Sequence, residues 1–308
     1  MEIRYIVERL LQYTYYPGCS VQLLQKGYDT STRLVAEALG IGLVELEDWN
    51  CCGATAYISI DQLSAHALVA RNLARAERTS RDILVICPSC FTTLNKTNTL
   101  LAEDTKLRKQ VEFTLGRIGL TYFGSLKIRH LLDILINDVG EERIRSFVSS
   151  DNEEFGSRGL GGLKVAPYYG CQITRPMRSF DDPEAPTTMD RVLSWAGAEV
   201  VNYPLKARCC GGTLLMTNED VGLPLVRNLL KCAVENGAQC IATACPLCQM
   251  NLESYQGKIN KKFGTHYSIP SVYFTQLLGL ALGLSMKNLG IGKELVSAKK
   301  LLASLRRM

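Results

Sequence analysis

Ten of the chain's twelve cysteines fall into two matched sets. The first runs Cys19, 31 residues, Cys51-Cys52, 34 residues, Cys87-Pro-Ser-Cys90; the second runs Cys171, 37 residues, Cys209-Cys210, 34 residues, Cys245-Pro-Leu-Cys248. Clustered thiolates bind soft or borderline metals, so zinc and iron–sulfur clusters are the candidate occupants. Four thiolates close a zinc tetrahedron or hold a cubane, and each set offers five. Neighbouring side chains diverge, which makes an adjacent Cys-Cys pair awkward at one tetrahedral ion and better suited to a cluster whose irons lie apart. A lone CxxC also reads as a structural zinc clip or a thioredoxin-like dithiol, but either leaves the Cys-Cys pairs unexplained. Cys232 and Cys240 fall outside the pattern and are expected to be buried bystanders.

The duplication extends to the surroundings. YYPGC answers PYYGC, CCG precedes a helical pattern in both halves, and Arg71-Asn72-Leu73 matches Arg227-Asn228-Leu229. Short β-rich runs (YTYY, LVEL, ILVI) alternate with helical patterns (TSTRLVAEALG, LSAHALVARNLARAE). That alternation predicts an α/β fold of two similar domains related by a pseudo-twofold, each with a mostly parallel sheet flanked by helices. KIRHLLDILIND and SVYFTQLLGLALG each read as strand into helix. Pro88 and Pro246 suit a first helical position, which makes Cys87 and Cys245 N-caps and puts the cysteines at the carboxyl ends of strands, where open α/β sheets place ligands.

A length of 308 residues suggests two domains. The polar, Gly-rich stretch from Ser149 to Gly162 places the boundary, giving residues 1–150 and 160–308. A net charge of +5 without a basic block gives no support to nucleic-acid binding. The opening residues lack a secretory h-region, so a cytoplasmic location is expected. Phe274 to Leu284 is apolar but too short for a membrane span and reads as a core helix. Disulfides rarely persist in that compartment, which again favours metal or redox work.

These motifs, with ARNL, KIRHLLDILINDVG, YYGC, CCGG, ACPLC and QLLGLALG, resemble the CCG-domain signature of the heterodisulfide reductase B-subunit family over nearly the whole chain. YYGCQITRP looks closer to bacterial and sulfur-metabolising members than to methanogen ones. The resemblance implies a catalytic subunit in which Cys19, Cys51, Cys52, Cys87 and Cys90 hold one noncubane 4Fe-4S cluster and Cys171, Cys209, Cys210, Cys245 and Cys248 hold another. The two would flank a small thiol or disulfide substrate and divide a two-electron reaction between them, without a side-chain nucleophile and in either direction. Arg175, Lys206 and Arg208 lie close in sequence to the second set and are candidates for binding an anionic substrate tail. His66 and His130 are candidate proton donors. The chain has no ferredoxin-type C-x2-C-x2-C-x3-C run, so its electrons must come from partners. The resemblance supplies a ferredoxin-like C-type subunit with cubane 4Fe-4S clusters and a flavin-containing A-type subunit. Two other readings compete: an electron conduit in a succinate-, glycolate- or lactate-type oxidoreductase complex, and a zinc-stabilised assembly scaffold.

Overall fold

The structure, a computed structural model, describes residues 11–23, 25–54, 57–148, 159–175 and 180–304. Much of the expected linker, 149–158, lies outside these residues.

Two four-stranded sheets form, all parallel. The first contains β1 (Leu11–Tyr16), β2 (Ile41–Glu45), β3 (Ile83–Val85) and β4 (Ile128–His130) in the order β2-β1-β3-β4. The second repeats that order as β6-β5-β7-β8, from β5 (Lys164–Tyr168), β6 (Glu199–Val200), β7 (Cys240–Thr243) and β8 (Ser271–Tyr273). β1 begins at Leu11, slightly ahead of the YTYY run.

The helices of the first half are α1 (Cys19–Leu23), α2 (Lys26–Ala38), α3 (Tyr57–Ile60), α4 (Gln62–Glu77), α5 (Pro88–Glu103), α6 (Thr105–Gly116), α7 (Leu131–Ile134) and α8 (Gly140–Val148), with a π-helical turn at Leu135–Val139. Those of the second are α9 (Thr188–Trp195), α10 (Leu214–Thr217), α11 (Glu219–Glu235), α12 (Pro246–Ser254), α13 (Gln256–Phe263), α14 (Phe274–Ala281) and α15 (Lys299–Ser304). The expected apolar core helix is α14, buried at every residue. Among the described residues no helix is long and apolar enough to cross a membrane.

Alternation along the second sheet joins the halves. Cys240 and Ala242 of β7 face a core shared with the first half, while Ile241 faces a smaller core under α11, α12 and α13, as the period of two in a strand requires. Helices pack across the halves: α2 on α14, and α9 on α7 and α8. Two aromatic pairs mark the exchange. Tyr28, nine residues past Cys19, stacks on Tyr273 with ring centroids 4.1 Å apart. Phe180, nine residues past Cys171, stacks on His130 at 6.0 Å.

Candidate metal centre

All ten patterned cysteines follow the carboxyl ends of strands. β1 and β5 lead into Gly18-Cys19 and Gly170-Cys171, β2 and β6 into the Cys-Cys loops, β3 and β7 into Cys87 and Cys245. Cys87 and Cys245 are extended N-cap residues, each followed by proline at the first helical position. In both sheets the first and third strands are neighbours while their connections run to opposite sides, the switch point where doubly wound folds bind ligands.

Each set converges. Cys19 and Cys51 sulfurs are 3.2 Å apart, Cys52 and Cys90 3.2 Å, and Cys210 and Cys248 3.6 Å. Cys52 also contacts Cys51, and Cys209 contacts both Cys171 and Cys210, so the sulfurs of each set run in a chain of contacts. A chain of five thiols suits a polynuclear occupant better than one zinc ion, which takes four. Two glycines in the left-handed region hold the backbone against these sulfurs. Gly18 has φ +79° and a Cβ there would lie 3.0 Å from Cys90 Sγ; Gly170 has φ +70° and a Cβ there would lie 3.0 Å from Cys248 Sγ.

Crowding divides the thiols electrostatically. Hydrogen bonds to Cys51 and Cys90 bring Cys52 down to about 5, and those to Cys171 and Cys210 bring Cys209 down to about 2. Their neighbours go the other way: Cys19 and Cys171 are pushed up by hydrogen bonds to Cys51 and Cys209, and then by burial. Cys90 and Cys248 lie well above the usual thiol range for the same reasons. Buried thiolates do not accumulate side by side without a compensating cation, and a metal site supplies one. The donor set, its converging sulfurs and the glycine cradles therefore fit iron–sulfur clusters.

Two cavities occupy the space beside the sets and share Ala54, Thr93 and Gln172. One, about 220 Å³, is lined by all five cysteines of the second set together with Ser89 and Tyr169. The other, about 250 Å³, reaches Cys52 and is lined by His66, Thr92, Lys96 and Thr97. The phenols of the buried pair Tyr28 and Tyr273 are pushed up first by burial and further by the charge of Cys87 and Cys245.

The three basic residues singled out from sequence are engaged or peripheral. Arg175 donates to Pro183 O at 2.7 Å and pairs with Glu184 at 2.7 Å. Lys206 pairs with Asp190 at 2.8 Å over the Tyr169 ring. Arg208 is exposed, and its carbonyl accepts from Tyr168 Oη at 2.8 Å. None of them lines either cavity; Lys96 does. Ser89, Thr92, Thr93 and Lys96 follow an i, i+3, i+4, i+7 pattern on α5, a polar stripe that could have identified this wall from sequence.

The histidines separate. His66 Nδ1 is 3.0 Å from Thr97 Oγ1 on the cavity wall, and burial, then Lys96, lowers its pKa. His130 is fully buried away from both cavities. Its Nε2 is 2.9 Å from Ile86 O, which can only accept, so Nε2 carries the proton while Nδ1 accepts from Leu132 N–H at 3.1 Å. Tyr28 Oη donates to the same carbonyl at 3.0 Å. Together they fix the backbone one residue before Cys87. Burial pulls His130 down to about 4. The unfolded chain binds this proton below about pH 6.5 and the folded chain does not until about 4. The stability associated with a neutral His130 is therefore full above pH 6.5 and is lost as pH falls toward 4. Urea unfolding at pH 5.5 should show about 1.4 kcal/mol less stability than at pH 7.5 from this group, and His130→Gln should remove that component. An unchanged pH slope in the variant would rule the assignment out.

Cys240 is buried in the shared core and pushed up to about 12 by burial; Cys232 is partly buried at the edge of the second core.

Fold and site together define a duplicated α/β redox protein that gathers five thiols in each half. The cysteine-rich domain family CCG matches the sequence twice, over residues 13–95 and 165–253, and the chain belongs to that family. Each match encloses one five-cysteine set. The chain is 33% identical over 295 residues to the ferredoxin/F(420)H(2)-dependent CoB-CoM heterodisulfide reductase B-subunit of Methanosarcina acetivorans, covering 94% of this chain and 95% of that one. It is 31% identical to the 8-methylmenaquinol:fumarate reductase membrane anchor subunit of Wolinella succinogenes, covering 94% and 99%. Methanogen and bacterial relatives thus stand at similar identity. A hypothetical protein from Helicobacter pylori shares the fold with a TM-score of 0.71 at 15% identity, covering 93% of this chain, which spans 52% of that one. As an iron–sulfur oxidoreductase component, the chain is related to proteins that work as subunits of larger complexes.

Proposed function

We propose that the chain is the subunit in which a disulfide is reduced, or two thiols are joined, between two noncubane 4Fe-4S clusters. Cys19, Cys51, Cys52, Cys87 and Cys90 would hold one, and Cys171, Cys209, Cys210, Cys245 and Cys248 the other. The observation carrying this reading is the pair of adjoining cavities, one walled by the whole second set and the other reaching Cys52. A bound cluster supplies one electron at a time, and two of them balance the reaction of a disulfide with two electrons and two protons to give two thiols. The chain's own residues shape what enters. Lys96 is the cation on the cavity wall, so we assign the anionic end of the substrate to it and leave Arg175, Lys206 and Arg208 to pinning and solvating the neighbouring loops. His66, kept neutral by burial, is a proton acceptor suited to deprotonating an incoming thiol in the oxidative direction. Electrons would come from C-type and A-type partner subunits in the cytoplasm. Exposed Ile60 and Met216, each just past a Cys-Cys loop, offer apolar surface for such partners.

The test is paramagnetic resonance of the purified, anaerobic protein titrated with alkyl thiols of equal length, one sulfonate-tailed and one neutral. Binding should change the spectrum, and Lys96→Met should weaken the sulfonate by about tenfold while sparing the neutral thiol. No response to any thiol or disulfide would leave electron conduction, the reading favoured by the relative named as a membrane anchor subunit of a fumarate reductase. Zinc without sulfide in the purified protein would overturn both.

A further inference from the structure

The two thiol sets are near copies, and the side chains that reach their sulfurs differ: Ser20 Oγ lies 4.0 Å from Cys19 Sγ in the first, and Asn251 reaches the buried Cys210 Sγ in the second. In the Cys-Cys loops the backbone donors correspond: Gly53 and Ala54 amides bond to Cys51 and Cys52, and Gly211 and Gly212 amides bond to Cys209 and Cys210. Three residues past the last cysteine the halves differ. The first has Thr93, a wall of both cavities, and the second has Asn251, 1% exposed. Asn251 Nδ2 lies 3.4 Å from Cys210 Sγ, 3.4 Å from Cys210 O and 3.0 Å from Gly212 O. Three acceptors around one atom establish it as the NH2 end. The carbonyl end, Oδ1, is buried without a partner. Holding a buried amide with one end unsatisfied costs free energy of about 1–3 kcal/mol, so the N–H side must be what this position is kept for.

We infer that Asn251 sets the second centre at a higher reduction potential than the first, by donating a hydrogen bond at 3.4 Å to a buried ligand sulfur, where the first set has only the longer contact of the Ser20 hydroxyl with Cys19 Sγ at 4.0 Å. Reduction adds negative charge at the sulfurs, and an N–H donor aimed at one of them stabilises that form. The backbone donors of the Cys-Cys loops are matched, so they cancel in the comparison. Of the side-chain contacts, the Asn251 bond is the shorter and the more buried, and it carries the difference. The half whose five cysteines line a cavity holds the first electron, and Asn251 is a positioning residue that acts through the Cys210 sulfur.

The inference rests on the iron–sulfur reading above, and the experiment separates the two. The full-length chain, purified anaerobically with its clusters, is titrated redox-potentiometrically with paramagnetic resonance detection, and iron and sulfide are measured in parallel. Asn251→Leu, close in size and without a donor, should lower the midpoint of one of the two signals. At the wild-type midpoint its reduced-to-oxidised ratio should fall by about tenfold, which is 59 mV for a one-electron couple, with the other signal and the iron content unchanged. Asn251→Thr, which installs the first half's residue, should bring the two midpoints together. Unchanged midpoints in variants that retain both clusters would overturn the inference, as would loss of iron from both, because Asn251 would then be a structural prop for the loop. Absence of iron–sulfur signals in the wild-type chain would instead defeat the underlying reading.

Discussion

Cys52→Ala should remove about half of the iron and sulfide, erase one cluster signal, leave the other intact and reduce disulfide turnover to background. Cys210→Ala should do the same with the complementary signal. Both thiols are almost fully buried, at 4% and 3% exposure, and each pairs with a second cysteine of its own set, Cys90 or Cys248. Solvent is poorly placed to replace them as ligands. Turnover should vanish in either single variant because a two-electron reaction shared between one-electron centres needs both. The control is Cys240→Ala, which removes a thiol of similar burial from the shared core; it should keep full iron and lose about 1 kcal/mol of stability. Full iron in both ligand variants would show that these cysteines are not ligands. Loss of all iron from either would show that the two sites do not load independently.

Much of this site was legible in the sequence because its determinants are local. Each CPxC carries its own helix start, with proline fixing the first turn and the preceding cysteine extended. Each Cys-Cys pair is followed by a glycine whose positive φ turns the chain, Gly53 at +69° and Gly211 at +86°. The strand-helix alternation and the duplication are likewise patterns of near neighbours. What escaped depends on contacts between distant segments. Arg175 and Lys206 are close to cysteines in sequence, but their side chains turn to Glu184 and Asp190, and nothing local distinguishes a paired cation from a free one. Lys96 is six residues past Cys90 and faces the cavity because α5 carries it there. His66 and His130 both sit in apolar patterns, and only the fold puts one on a cavity wall and the other behind the backbone of Cys87. Asn251 lies in plain view in CPLCQMNL, and its meaning emerges only when Cys210, 41 residues away, closes over it.

The reciprocal exchange of helices was the least legible feature and carries the largest stability prediction. Tyr28 belongs to the first half by sequence, yet it is fully buried against Tyr273 and Phe274 of the second. Its hydroxyl donates back to Ile86 O, beside Cys87. Tyr28→Ala should therefore destabilise the whole chain by about 3–5 kcal/mol, the usual cost of emptying a large aromatic site, whereas Tyr28→Phe should lose only about 1 kcal/mol with the single hydrogen bond. Denaturant unfolding followed by near-ultraviolet dichroism and by cluster absorbance would measure both. Because α2 lies on α14 and α9 on α7, neither half completes its core without the other, and the two signals should fall together in one transition at a lower midpoint. Two separated transitions in Tyr28→Ala would mean that the halves fold as independent units and that the exchange is a surface association. The Tyr28–Tyr273 stack, with the Tyr28 hydroxyl on Ile86 O beside Cys87, ties the second half to a loop of the first cysteine set, so loosening the exchange should disturb that loop before it releases either cluster.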